Sequence, residues 1–589
     1  MTDRPWLSQY PPEIPGSLTY PRKPVCAFLT EAAEQYPDKK ALHFMGKEMT
    51  YREVYEAALK FAGYLKKLGV EKGDRVAVLL PNSPQAVIGF YGILYTGGIA
   101  VMTNPLYTER ELEYQLKDSG AKAILTVDFL YPAVAKVFEK TDLEHIIVTA
   151  ISDYLPFPKN VIYPFMQKKQ TGVTVRVQHG GHHHLLKNIM KEEIPEPLDT
   201  PFDIEEDLAI LQYTGGTTGV PKGVMLTHLN LIANATMCDA WMYRAKKGEE
   251  VVLGMLPFFH VYGMTTVLIL SVMQGFKMIL IPRFDAESLL KTIEKQRPTL
   301  FPGAPTIYIG LLNHPKIKEY DLSSIEACIS GSAPLPVEVQ QKFEEATGGK
   351  LVEGYGLSES SPVTHANFVW GKRVKGSIGV PWPDTDCEIR SLEDGRPLPP
   401  GEVGELAVKG PQVMKGYWNR PEETQEVLKD GWLFTGDLAY MDEEGYFYIV
   451  DRKKDIIIAG GYNIYPREVE EVLYEHPAVQ EAVVAGVPHP YRGETVKAYI
   501  VLKENMAVTE EELDRFARQY LAAYKVPRIY EFRDELPKTA VGKILRRVCV
   551  KFYSTGHMSG KKWEDALSSN CTLQDEHLER EVFPWILYQ

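Results

Sequence analysis

Among the 589 residues no two cysteines form a CxxC pair. The six present, Cys26, Cys238, Cys328, Cys387, Cys549 and Cys571, are scattered, which argues against a zinc site or a disulfide framework. Free thiols in a reducing compartment are expected instead. No run of roughly 18 to 20 uncharged apolar residues is found, so a membrane-spanning helix is not expected. The stretch from Met1 to Lys23 is polar and proline-rich and lacks the apolar core of a signal peptide. An excess of basic charge is missing too. Lys and Arg number 65 against 78 Asp and Glu, a formal charge of -13. That balance excludes general affinity for nucleic acid, which needs a basic surface. The expectation is a cytoplasmic protein, long enough for two or more cores.

From Val25 to about Val148 helical and strand-like patterns alternate. Arg75 to Leu80 reads as a strand ended by Pro81-Asn82. Ala86 to Tyr95, closed by Gly97-Gly98, reads as a buried helix with a glycine stop. Such alternation implies α/β layering. Residues 153–207 break the rhythm with Leu155-Pro-Phe-Pro158, the basic pair Lys168-Lys169 and the cluster His182-His-His184. Adjacent histidines on a loop rarely close a metal site, so an irregular, solvated insertion is expected. Its aromatic and basic residues also suit a membrane surface. Farther on, Pro466 to Leu473 has helical spacing with proline in the first turn, and Ala482–Val487 and Val496–Leu502 read as strands. The expected organisation is an arm at 1–24, a large multi-sheet α/β domain over 25–450 and a small α+β domain over 451–547. An atypical tail, expected to be disordered, fills 548–589.

The densest signal is Thr214-Gly-Gly-Thr-Thr-Gly-Val-Pro-Lys222-Gly223, between the apolar runs Leu208–Leu211 and Val224–Leu226. It reads as a loop between two buried strands. Gly215, Gly216 and Gly219 let backbone N–H groups approach a ligand, while Thr214, Thr217 and Thr218 add hydroxyls and Lys222 a positive charge. Such a loop suits a polyphosphate. It is not the common nucleotide loop, because no Gly-Lys-Ser/Thr opens a following helix.

This loop closely resembles that of the adenylate-forming superfamily, which includes acyl-CoA synthetases, coumarate-CoA ligases, luciferases and peptide-synthetase adenylation domains. Further blocks follow in the family's order: Gly331-Ser332-Ala333-Pro-Leu335, Gly354-Tyr355-Gly356-Leu-Ser358-Glu359, Thr435-Gly-Asp437, Asp451-Arg452-Lys-Lys454-Asp455, Gly460-Gly461-Tyr462-Asn463 and Pro537-Lys-Thr-Ala-Val-Gly-Lys543. The resemblance spans roughly residues 25 to 547 and implies a mobile C-terminal lid. It implies ATP, CoA and Mg2+, with Thr214 and Glu359 as metal ligands. Gly331 to Ala333 would lie beside adenine and Tyr355 would stack on it. Ser358, where many relatives carry threonine, keeps the hydroxyl for phosphate. Asp437 and Arg452 would reach the ribose, Lys543 would bridge carboxylate and α-phosphate, Lys454 would be the hinge, and Gly460 to Tyr462 would serve the CoA side. His260 would orient the substrate carboxylate.

By the same resemblance the acyl pocket is lined by His260, Tyr262, Gly263, Met264, Gly303, Ala304 and Ala333. Their small members are expected to leave room for an alkyl chain. The wording Leu256-Pro-Phe-Phe-His-Val-Tyr-Gly-Met264 looks most like bacterial long-chain fatty-acid-CoA ligases. An aryl-carboxylate-CoA ligase is the closest rival, and a luciferase-like oxygenase would use the same adenylation site. A non-catalytic acyl- or nucleotide-binding relative would be expected to have lost Lys543, Glu359 or Asp437. The expected partners are the small molecules fatty acid, ATP and CoA, with peripheral contact at the inner membrane surface and a homodimer as further options.

Overall fold

The computed structural model describes residues 4–551 apart from 174–176, 178, 196–199, 215–220, 460–461, 490–491, 505 and 540–543. Two compact units emerge. The larger holds 7–386 and 409–433; the smaller holds 4–6, 387–408 and 434–551.

The larger unit is built on an eight-stranded mixed sheet. At its centre Arg75–Leu79 runs parallel to Ile99–Met102 on one side and Ala123–Val127 on the other. His145–Thr149 and His183–Leu185 extend one flank in parallel. On the other flank Leu208–Thr214 joins in parallel, and Lys222–Thr227 and Gly416–Tyr417 follow antiparallel. Every residue of Ala123–Val127 is buried, as a parallel strand covered on both faces requires. The expected helix is present as Pro84–Tyr95. Ser83 Oγ accepts from the Ala86 amide, Pro84 fills the first turn, and all of its residues are buried. A smaller sheet orders Ala327–Ser330, Lys350–Gly356, Val363–Ala366 and Val380–Pro381, its first pair parallel and the rest antiparallel.

The expected irregular insertion contains regular structure: a helix over Lys159–Thr171, the strand His183–Leu185 and a helical turn over Leu186–Ile189. The solvated-loop reading of the histidine cluster is corrected at His184. Strand geometry points successive side chains to opposite faces, so within the strand His184 is buried while its neighbours His183 and Leu185 are half-buried; His182, just before the strand, is exposed. His184 Nδ1 lies 2.9 Å from the Tyr64 hydroxyl and Nε2 lies 3.2 Å from His145 Nδ1. Burial, with further histidines close by, pushes its pKa down to about 4.

In the smaller unit Val479–His489 and Gly493–Leu502 form a long antiparallel hairpin, with Ile529–Phe532 parallel to its second strand. Helices Pro466–Tyr474 and Glu510–Tyr520 cover it through Val469, Leu473, Leu513 and Ala517, which pack with Ile457, Val484 and Ala498. Trp432–Met441 pairs antiparallel with Phe447–Arg452 in a second sheet. The α/β, multi-sheet class expected from the sequence is the class observed. No helix among the described residues is long and apolar enough to cross a membrane.

Candidate active site

The two apolar runs around the glycine-rich loop are neighbouring antiparallel strands, and their register sets Thr214 opposite Lys222. Residues Gly215 to Gly219, with Thr217 and Thr218, lie outside the described residues. Next to Lys222–Thr227 comes the two-residue strand Gly416–Tyr417, with Tyr417 opposite Val224. The Lys222 ammonium sits over the Tyr417 ring, 4.9 Å from its centre. The Tyr417 hydroxyl donates to Glu359 Oε1 at 2.7 Å. One aromatic side chain therefore meets a cation with its face and an anion with its hydroxyl, both favourable contacts.

Glu359 lies half-buried in the turn Ser358–Ser360, just beyond the strand Lys350–Gly356. Its carbonyl accepts from the Met414 amide at 2.8 Å. No hydrogen bond joins its second carboxylate oxygen among the described residues, so that oxygen can take a metal ion. Thr214 adds a hydroxyl at the end of its strand. These hard oxygen donors fit Mg2+, which takes few protein ligands and completes its shell with water and substrate phosphate. Among the described residues no group of three or more His, Cys, Asp or Glu could form a closed metal cage.

Ala327–Ser330 and Lys350–Gly356 run parallel, so both their C-terminal ends open at one edge of the sheet. Gly331-Ser332-Ala333 leaves the first and Ser358-Glu359 follows the second, the placement typical of ligand sites in α/β sheets. The Gly331 amide donates to the Gly303 carbonyl at 3.0 Å, and Ser332 adopts a left-handed φ of 72°. Gly354 and Tyr355 pair with Ala366 and His365 across the antiparallel strand, and Gly356 with Val363. The half-exposed Tyr355 ring meets His365 edge-on at 5.8 Å.

On the proposed acyl side His260 precedes the helical segment Val261–Gly263, which continues into the wider π-turn Met264–Ile269. Burial pushes the His260 imidazole down to about 4, so it is neutral at neutral pH and can orient a ligand without carrying charge. The Tyr262 hydroxyl donates to the Ile329 carbonyl at 2.7 Å, tying this segment to the strand before Gly331. Gly263 and Gly303, expected to leave room for an alkyl chain, and Gly331, expected beside adenine, each stand close against protein neighbours. A Cβ on Gly331 would lie 2.9 Å from the Tyr262 ring, one on Gly303 2.7 Å from the Tyr308 hydroxyl, and one on Gly263 2.5 Å from the Pro257 carbonyl oxygen. These glycines admit protein neighbours. Ala304, packed just before the helix Pro305–Leu312, is buried.

In the smaller unit Asp437 and Arg452 are cross-strand partners. Arg452 Nε lies 2.5 Å from Asp437 Oδ1, and only 4% of the aspartate side chain is exposed. Lys454 occupies an exposed turn between the strands ending at Arg452 and beginning at Ile457. Tyr462 is exposed and stacks on Tyr524 at 4.7 Å. Gly460, Gly461 and Lys543 lie outside the described residues. Arg546, which carried no expectation, contacts Asp455 at 2.8 Å, Glu470 at 2.7 Å and Asp451 at 3.6 Å. Tyr417 was missed as well. Uncharged and set between Gly416 and Trp418, it has no sequence feature that separates it from a core aromatic.

Two family models cover most of the chain: AMP-binding enzyme over residues 29–418 and the AMP-binding enzyme C-terminal domain over residues 468–543. The chain belongs to the AMP-binding enzyme family. It is 60% identical to a long-chain-fatty-acid–CoA ligase of Bacillus subtilis (strain 168), across 94% of this chain and 99% of that protein. Identity to a long-chain-fatty-acid–CoA ligase of Escherichia coli O6:H1 is 41%, across 92% and 97%. The crystal structure of ATP-bound MatB from Rhodopseudomonas palustris matches with a TM-score of 0.78 at 30% identity, covering 90% of this chain and 99% of that one.

Proposed function

We propose that this protein activates a long-chain fatty acid as its acyl-adenylate and passes the acyl group to CoA, releasing pyrophosphate and then AMP. The observation that carries this reading is the high identity, along nearly the whole chain, to the Bacillus subtilis ligase. In the first half-reaction a carboxylate oxygen bonds to the α-phosphorus of ATP as the bond to pyrophosphate breaks. In the second, the CoA sulfur bonds to the acyl carbonyl carbon and the bond to AMP breaks, the thiol proton passing to solvent. Both halves rest on positioning and charge neutralisation.

In this reading the loop from Thr214 to Lys222 holds the phosphates, with Gly215, Gly216, Thr217, Thr218 and Gly219 supplying its amides and hydroxyls. Thr214 and Glu359 would hold Mg2+, which supplies charge neutralisation on the phosphates. Gly331, Ser332, Ala333 and Tyr355 take the adenine, and Asp437 accepts from the ribose hydroxyls beside Arg452. Lys543 gathers the carboxylate and the α-phosphate, two anions that otherwise repel. Neutral His260 orients the carboxylate. Lys454 is the hinge on which the C-terminal residues turn between half-reactions, and Gly460, Gly461 and Tyr462 then serve CoA. Cytoplasmic placement belongs to the same proposal.

The test is single turnover with ATP labelled in the α-phosphate, magnesium and palmitate, with and without CoA. Acyl-AMP alone in the first case and palmitoyl-CoA plus AMP in the second are expected. Release of ADP, or no turnover with palmitate while hydroxycinnamates react, would overturn the long-chain assignment.

A further inference from the structure

The helix Lys159–Thr171 lies on the larger unit with its apolar stripe turned outward. Phe157, just before it, is 82% exposed; Val161, Ile162, Phe165 and Met166 range from 50% to 73%. The side chains toward the protein are spaced by four: Tyr163, Gln167 and Thr171 are half-buried. Gln167 Nε2 donates to Asp128 Oδ1 at 2.9 Å and anchors that face. A surface helix ordinarily buries its apolar side and exposes its polar one. Here the arrangement is inverted, and the side chains left in water include two phenylalanines.

Charge identifies the occupant. The helix contains Lys159, Lys168 and Lys169 and no acidic residue, within a chain of formal charge -13. Lys168 and Lys169 sit on the last turn, next to the exposed stripe, where long stems can lie along lipid while the ammonium groups reach phosphate. Aromatic and aliphatic side chains flanked by lysines are the features of a helix that lies in a membrane interface.

We propose that this helix docks on an anionic phospholipid surface. The geometry stands by itself; its value to catalysis rests on the proposed substrate, a long-chain acid that partitions into bilayers, from which a docked enzyme could draw it.

The experiment is flotation of the full-length protein with vesicles of phosphatidylcholine alone or mixed equally with phosphatidylglycerol, at low and high NaCl. Wild type should float with the mixed vesicles, less at high salt, and poorly with phosphatidylcholine. The double variant Ile162→Glu/Phe165→Glu should lower the bound fraction by about tenfold or more. Lys168→Glu/Lys169→Glu should remove the preference for the anionic lipid. Because these positions are exposed, both variants should keep the wild-type melting temperature and turn over fatty acid supplied in detergent micelles. Wild type that does not float, or glutamate variants that float unchanged, would overturn the proposal. So would a wild-type dimer that the Ile162→Glu/Phe165→Glu variant converts to monomer without any vesicle binding, since a second copy would then cover the stripe. Flotation needs no turnover, so failure of the ligase reading would show separately, as bound protein without acyl-AMP formation.

Discussion

Tyr417 joins the Glu359 carboxylate through its hydroxyl while its ring carries the Lys222 ammonium. Two charged groups assigned to nucleotide and metal thus share one uncharged support.

Replacing Tyr417 separates the two contacts. Tyr417→Phe keeps the ring and removes the donor to Glu359, a hydrogen bond to a charged group worth about 1.5–3 kcal/mol. The expected result is a rise of roughly tenfold or more in the magnesium concentration needed for half-maximal ATP–pyrophosphate exchange. Tyr417→Leu should add a loss in ATP affinity, because Lys222 also loses its ring. A Phe variant with the wild-type magnesium profile would show that Glu359 is placed without the tyrosine.

Lys543→Ala separates the half-reactions. Adenylation should fall by about 10²–10³-fold, the scale for losing one preorganised electrostatic contact. Thioesterification of supplied acyl-adenylate should be largely kept. Equal losses in both assays would count against a role confined to the first step.

Lys454→Pro tests the hinge. The turn between Arg452 and Ile457 is exposed at Lys454, so a fixed φ there should restrict backbone change with little cost in core packing. One half-reaction should be blocked while the other proceeds. Identical rates for both halves in mutant and wild type would remove the hinge assignment.

Acid should destabilise the fold through histidines buried as neutral rings. Burial holds His228 at about 4 and His365 at about 3, against about 6.5 for an unfolded histidine. Between those values the unfolded chain binds protons that the folded chain refuses. The stabilisation is therefore complete above about pH 6.5 and is lost as pH falls toward 4. Asp451, pushed up to about 6 chiefly by burial, works the other way, its contribution disappearing as pH rises through about 6. His184 and His260, also held at about 4, act with His228 and His365, and Asp239, raised to about 6 by burial, acts with Asp451. With four such histidines against two carboxyls, the melting temperature should be a few degrees lower near pH 5 than near pH 7.5. His228→Asn should flatten that dependence; a melting curve indifferent to pH would refute the account.

Where motif and element coincide, the sequence was informative. Leu208–Leu211 and Val224–Leu226 are the paired strands they appear to be, because buried strands in a mixed sheet are apolar throughout. Pro466 begins its helix as its position predicts. His184 was misread since a strand of three residues is too short to display a period of two. Gly263, Gly303 and Gly331 reveal small volume in the sequence, but only the fold decides what fills the space. Tyr417 and Arg546 gain their roles from partners 58 and 91 residues away, a relationship that local pattern cannot carry.

The strand Gly416–Tyr417 has a second effect through its place at the border of the eight-stranded sheet. Without it, Lys222–Thr227 would present unpaired amides and carbonyls along a flank rich in Val224, Met225 and Leu226, a template for pairing with another chain. Deleting this short segment would thus cost solubility along with activity, and aggregation of the purified variant would be its first visible symptom.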